Sequence, residues 1–305
     1  MAALVRPDPR RRARLADAPL ARDLLGLARD LSPLGRWVAV ACAAFLLLVV
    51  LAAVLAPWLS PYPAQGAGQS DMLTLLQPPS PAHLLGTDDE GRDILSRLLY
   101  GARPSLVAAF VVVATAIVLG SLVGAAAGYL GGAVEQVLMR ITDFFLAFPS
   151  LLLAIVIATI IGPSLQNVIV SLAVTWWPWY ARLVHAQAGT LRQAAFVRSA
   201  RLSGVRGLAM LVRHIIPNAL TPVVVQGTSD LGSVIISAAG LSYLGLGTQP
   251  PQADWGSMVS QGQQYILAQW WYVTFPGLAI LLTAMAFNLL GDAFRDLTDP
   301  SVRRT

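Results

Sequence analysis

PSLVAAFVVVATAIVLGSLVGAAAGYLGGAV, residues 104–134, carries no charged side chain between Arg103 and Glu135. A bilayer core takes roughly 20 apolar residues in helix, so about 104–130 reads as a membrane span. Upstream, WVAVACAAFLLLVVLAAVLAPWL at 37–59 is another such run. Its basic lead is 36 residues long and its apolar core exceeds that of a cleaved leader, so it too reads as a span. Downstream, no charge occurs from Phe144 to Ala181, and Gly162-Pro163 divides that run into two further spans. A fifth, about 219–246, contains Asp230, and a sixth, about 271–291, follows the interfacial aromatics Trp270-Trp271-Tyr272. The fold class expected is an all-α polytopic membrane protein with six transmembrane helices and a helical cytoplasmic loop.

Composition agrees. Of 305 residues, 56% are hydrophobic and 12% charged, with a mean hydropathy of +0.64, which argues against a soluble globular or a disordered chain. A single cysteine, Cys42, excludes an intrachain disulfide and a cysteine-based metal site, and three histidines exclude a His-rich metal centre.

Orientation follows from arginine, because the chain has no lysine. Residues 1–36 hold eight Arg, 182–217 hold six with no acid, and three follow 291. Residues 60–103 hold three Arg against five acids, and 247–270 hold only Asp254. By the positive-inside rule both termini and the 182–217 loop are cytoplasmic, and an even number of spans requires the same. Arg140 and Asp143 then sit at the cytoplasmic mouth of span three. The organisation expected is a cytoplasmic extension at 1–36, span one at 37–59, an outer segment at 60–103, a core of spans two to six at 104–291 with a loop at 186–217, and a tail at 292–305. In the extension, Leu20, Leu24, Leu27, Ala28 and Leu31 recur at helical spacing among charges. That helix lies on the inner membrane surface or packs on a partner subunit. No spaced internal repeat supports a single-chain inverted-repeat carrier.

The stretch TLRQAAFVRSARLSGVRGLAMLVRHIIP, 190–217, is long for a connection. Its pattern predicts a helix over 191–202, a turn at Gly204, and a second amphipathic helix over 205–216 that Pro217 stops. A short helix with a small face (Ala195, Ser199) and basic flanks (Arg192, Arg198, Arg201) suits a groove on a soluble partner. The same charges would also serve a loop that only fixes topology or touches anionic lipid.

At these residues the chain resembles a known family. Arg198-Ser199-Ala200-Arg201, Gly204 and Arg213-His214-Ile215-Ile216-Pro217 resemble the coupling-loop motif of permease subunits of binding-protein-dependent ABC importers: Glu-Ala-Ala, a glycine, and a closing Leu-Pro. Three more stretches resemble the peptide-type branch. They are Gly86-Thr87-Asp88-Asp89-Glu90-Gly91-Arg92-Asp93, Leu241-Ser242-Tyr243-Leu244-Gly245-Leu246-Gly247 with Trp255-Gly256, and Phe275-Pro276-Gly277 through Asn288-Leu289-Leu290-Gly291-Asp292. The sequence is most similar to the second membrane subunit of the dipeptide importer. It departs from the pattern at Arg198, where the family has glutamate, at Ser199, and at Ser237, where span five often has an acid. Asp230 lies seven residues earlier on the same helical face.

The resemblance implies a non-enzymatic permease subunit that imports short peptides by alternating access. Implied partners are a homologous permease completing a heterodimer, two cytoplasmic ATPases on the coupling loops, an external binding protein and membrane lipid, with no nucleic acid. No cofactor is expected on this chain, ATP and Mg²⁺ belonging to the ATPases. Nickel, glutathione and haem are alternative cargoes, and a stand-alone channel or carrier is the rival.

Other constellations are weaker. Asp88, Asp89, Glu90 and Asp93 lack the alternating spacing of a Ca²⁺ loop and have Arg92 and Arg97 among them, which favours a capped, salt-bridged entry into span two. Asp230 is expected to face the pore or a partner helix, because its charge is costly against lipid. Gly240-Leu241-Ser242-Tyr243 resembles the serine motif of intramembrane proteases, yet His83, His185 and His214 all lie outside the spans.

Overall fold

The computed structural model describes residues 33–298. The expected helix at 20–31 and the end of the tail lie outside the described residues. The long elements are α1 (Pro33–Val54), α2 (Ile94–Leu130), α3 (Gly132–Leu146), α4 (Ser150–Ile161), α5 (Leu165–Leu191), α6 (Ala195–Leu202), α7 (Ile216–Tyr243), α8 (Trp255–Gly262) and α9 (Trp271–Thr298). No strand occurs among the described residues; Thr87 and Asp93 form one isolated bridge.

Among the described residues, four helices are long and apolar enough to cross a membrane: α1, α2, α7 and α9. The structure differs from the expected spans in three places. Span three is not one helix from Phe144, because the chain breaks at Phe148-Pro149 and α3 and α4 meet at 86°. Pro149 has no N–H to give the preceding turn and disfavours helix at Phe148, so the pair bends there, as in a broken span or a re-entrant loop. Second, α5 has the length for a crossing, 27 residues or about 40 Å, but is less apolar than the others because it carries Arg182, His185 and Gln187. Third, α2 begins at Ile94, ten residues before the uncharged run, and its 37 residues reach about 55 Å, well beyond a bilayer core.

Boundaries have local causes. The Asp93 side chain accepts from the Ser96 backbone N–H at 2.8 Å and so caps α2. Gly162, with φ +94°, ends α4 at the expected dipeptide, and Ser164 caps α5 by accepting from the Asn167 N–H.

The core is built on α2 against α5. Gly120, Gly124 and Gly128 recur every four residues on α2, and a Cβ at any of them would overlap the α5 backbone or side chains, at 2.6 Å from the His185 carbonyl oxygen for Gly128. Glycine here allows backbone contact without lipid between the helices. The face of α2 that carries Gly120, Gly124 and Gly128 is therefore a helix-packing surface. Helices α7 and α9 close the other side, Val234, Ile235 and Phe287 packing onto Ala109 and Val112 of α2. Large apolar side chains on the outside of α1 and α4, among them Leu48 and Ile160, are exposed and suit lipid.

The outer segment and the α8 hairpin form one cap. Arg92, fully buried, reaches Asp88 at 2.6 Å, and Arg97, also buried, donates to the Pro251 carbonyl at 2.8 Å. Tyr272 at the start of α9 donates to Asp89 at 2.8 Å, and the Trp255 indole to the Leu98 carbonyl at 3.0 Å. Two motifs about 160 residues apart in sequence thus meet in space.

Candidate functional site

The loop at 186–217 begins inside α5, which continues to Leu191, so its first helix is α6, shorter than the predicted 191–202. Val197 is its buried anchor, set in a cluster with Val184 and Ala188 of α5 and with Met210 and Ile215. Ala200 is half-buried, whereas Arg198, Ser199 and Arg201 are exposed. Phe196 and Leu202 are also on the outside, Leu202 at 90% exposure. Arg201 lies over the Tyr129 ring, 5.6 Å from its centroid, which ties α6 to the end of α2.

Gly204 closes the helix. With φ +88°, it donates to the Arg201 carbonyl at 3.1 Å while the Val205 N–H reaches the Ala200 carbonyl at 3.1 Å. This paired pattern is a Schellman cap. A Cβ at Gly204 would meet nothing within 4 Å, so glycine is favoured there by backbone conformation and not by crowding.

Pro217 does not stop the second helix, as the sequence pattern predicted. Gly207–Met210 form one α-turn, Leu211–Ile215 widen to a π-turn carrying Arg213 and His214, and Pro217 stands in the first turn of α7. A proline is accommodated where its missing N–H falls in a first turn, and the wider turn delivers the chain into α7 without a break. Arg213 is exposed, and the His214 carbonyl accepts from Asn218.

Asp230 lies apart from this loop, midway along α7. It accepts from the Tyr180 hydroxyl at 2.6 Å and from the Gln226 amide at 3.0 Å. Its partners are thus Tyr180 of α5 and Gln226 of its own helix, both in the same chain. It also lines a pocket of about 580 Å³ between α5 and α7, with Trp176, Trp179 and Arg182. Ser237 is half-buried and its hydroxyl donates to the Ser233 carbonyl at 2.9 Å, so it does not join Asp230. The sequence reading missed Tyr180 and Arg182; the aromatic run Trp176-Trp177-Pro178-Trp179-Tyr180 beside an arginine was the available signal. It also missed His185, 2.8 Å from Glu135 of α3.

In the outer motif, Gly86 and Gly91 take φ +79° and +73°, and Thr87 accepts from the Gln77 N–H at 2.8 Å. Asp93 is 3.0 Å from His83 as well as capping α2. Burial pushes the Asp88 carboxyl above its ordinary range, against the pull of Arg92 and Arg97. These carboxylates are engaged by arginine, histidine, tyrosine and backbone, and no group suited to a metal ion occurs among the described residues.

The described residues thus form a helical membrane protein with a bent helix pair, a capped amphipathic helix α6 and a polar pocket between α5 and α7. Residues 116–304 match the family described as binding-protein-dependent transport system inner membrane component, and residues 35–79 match the N-terminal transmembrane domain of oligopeptide transport permease C. The chain belongs to that family of inner membrane components, which are non-enzymatic permease subunits of ABC importers working with ATPase and substrate-binding partners. It is 44% identical over 261 residues to a probable D,D-dipeptide transport system permease protein of Escherichia coli, covering 86% of this chain and 87% of that one. It is 41% identical to a dipeptide transport system permease protein of Alkalihalophilus pseudofirmus, covering 83% of each, and 42% identical to a glutathione transport system permease protein of Pectobacterium atrosepticum, covering 87% and 88%. Among solved structures, the inward-facing MetNI methionine ABC transporter superposes with a TM-score of 0.53 at 20% identity, over 68% of this chain and 98% of that one, which shows a shared fold.

Proposed function

We propose that this chain is one half of the pore of an ATP-driven importer of short peptides, dipeptides foremost, with both termini and α6 on the cytoplasmic side. A homologous permease completes a heterodimer, two ATPases binding ATP and Mg²⁺ engage the α6 loops, and an external binding protein delivers cargo to the outer cap. This chain needs no cofactor. The observation that carries the reading is α6 itself: anchored by Val197 and closed by Gly204, it leaves Phe196 and Leu202 open to water beside arginines. An apolar side chain such as Leu202 costs about 2 kcal/mol to leave in water, which a groove on an ATPase would recover. Arg198 stands where the family's motif has glutamate, so the matching groove is acidic where it meets α6. Peptide cargo is supported by the relatives named for dipeptide transport; the relative named for glutathione extends the class to a tripeptide thiol.

The test is uptake of labelled dipeptide into proteoliposomes holding the full set of subunits. ATP-dependent accumulation is expected. Gly204→Asp should insert normally and lose uptake, whereas Gly204→Asn, which tolerates the same backbone without charge, should retain most of it. Dipeptide uptake that needs no ATP, or normal uptake by Gly204→Asp, would contradict the reading.

A further inference from the structure

The pocket between α5 and α7 holds one acid and one base. Asp230 is half-buried in its wall, and Arg182 stands at the rim, paired from outside the pocket with Asp143 of α3. Trp176 and Trp179 supply apolar surface, and the volume, about 580 Å³, lies in the range of small-ligand sites. Tyr180 and Gln226 each give one hydrogen bond to a separate oxygen of Asp230, fixing the carboxylate while leaving each oxygen a further lone pair. Such an acid inside a membrane protein is expensive unless a cation meets it during work. Arg295 of α9 donates to the Gln226 side-chain oxygen at 3.2 Å, beside this carboxylate.

We infer that this pocket is a subsite for the zwitterionic backbone of a short peptide in transit, Asp230 receiving the ammonium group and Arg182 the carboxylate. The inference rests on the importer reading and adds to it where the cargo touches this chain. A dipeptide in extended form separates its charged ends by about 7 Å, a span that a pocket of this size accommodates. The indole walls accept side chains without selecting among them, so the fixed features of the cargo, its two charged ends, are what the site reads. A ligand with free termini gains a charge-assisted hydrogen bond at each end, and one with a blocked terminus forgoes the bond at Asp230 or at Arg182, the latter then keeping Asp143 alone as its counter-charge.

The test uses the assembled transporter, permease pair with ATPases, purified in mild detergent without its binding protein, so that the binding protein's own selectivity does not enter. Binding of radiolabelled L-alanyl-L-alanine is competed with the unlabelled peptide, its N-acetyl form and its C-terminal amide. Each block is expected to weaken competition by about tenfold. Asp230→Asn should abolish the penalty for acetylation alone, Arg182→Gln that for amidation alone, and Asp230→Glu should keep both. Equal competition by free and blocked peptides on the unmodified complex, or no binding of the dipeptide at all, overturns the subsite without any variant having to fold. Uptake with the binding protein present separates the two levels. A complex that imports the dipeptide yet ignores its termini loses only this inference, whereas one that imports no peptide loses the importer reading for peptides as well.

Discussion

Asp88 shows how a single residue holds the outer cap together. It accepts from the backbone N–H groups of Glu90 and Arg92 and from the Arg92 guanidinium, and Arg97 lies 3.9 Å away. All three side chains of this cluster are 2% exposed or less, so neutralising the acid removes the buried counter-charge of two cations and leaves them only Glu90, 2.9 Å from Arg92, and the Pro251 carbonyl at Arg97. Asp88→Asn should therefore cost about 3–5 kcal/mol, read as a lowered thermal midpoint of the purified complex. A shift equivalent to less than about 1 kcal/mol would mean that water reaches the arginines. The sequence displayed this cluster as acids among arginines before an apolar run, which was enough to anticipate a capped, ion-paired entry. It did not disclose that Arg97 and Trp255 pin the cap to a hairpin far along the chain, because sequence spacing carries no signal for such a contact.

At the scale of elements, the helices form where uncharged runs and stops predicted them, with departures that trace to backbone chemistry at α2, Pro149 and Pro217 and to polar side chains in α5. The uncharged run gave α2 its membrane portion, while its true start was set by the Asp93 cap ten residues upstream. Apolarity hid the break at Pro149, since a run of uncharged residues looks alike whether straight or bent. Proline also misled at 217: it was read as a terminator, yet a π-turn lets it open α7. The α2–α5 contact rests on glycine spacing, so Gly124→Leu, whose Cβ alone would overlap the Ala181 carbonyl, should separate the helices. The expected result is loss of detergent-stable protein, followed by fluorescence-detected size exclusion, whereas the same change at Gly162, with open space around it, should cost only backbone strain. Comparable recovery of the two variants would mean that α2 and α5 do not pack by backbone contact.

For the whole molecule, the membrane orientation is the quantity on which every other role depends. With Cys42 replaced by alanine, a cysteine at Leu202 should be labelled by an impermeant maleimide only from the cytoplasmic side, and one at Leu267, fully exposed, only from outside. Labelling of both from one face would mean that α7 does not cross the membrane, and labelling with the two faces exchanged would invert the proposed orientation. If the orientation holds, the outer cap faces the binding protein, the Asp230 pocket lies between the two water-filled ends, and α6 faces the ATPases. Coupling then requires that ATP binding and release favour different packings of the spans, because a ligand with equal affinity for both would move nothing.

The central claim is that α6 is the surface through which ATPases drive this subunit. The most direct measurement is purification of the tagged chain from its native membrane in mild detergent, with mass spectrometry of accompanying proteins, run beside Leu202→Asp and a form lacking 192–216. The account predicts a second permease with every form and ATPases with the intact chain alone. ATPases that stay with both altered forms, or an intact chain that comes out stable and alone, would contradict it.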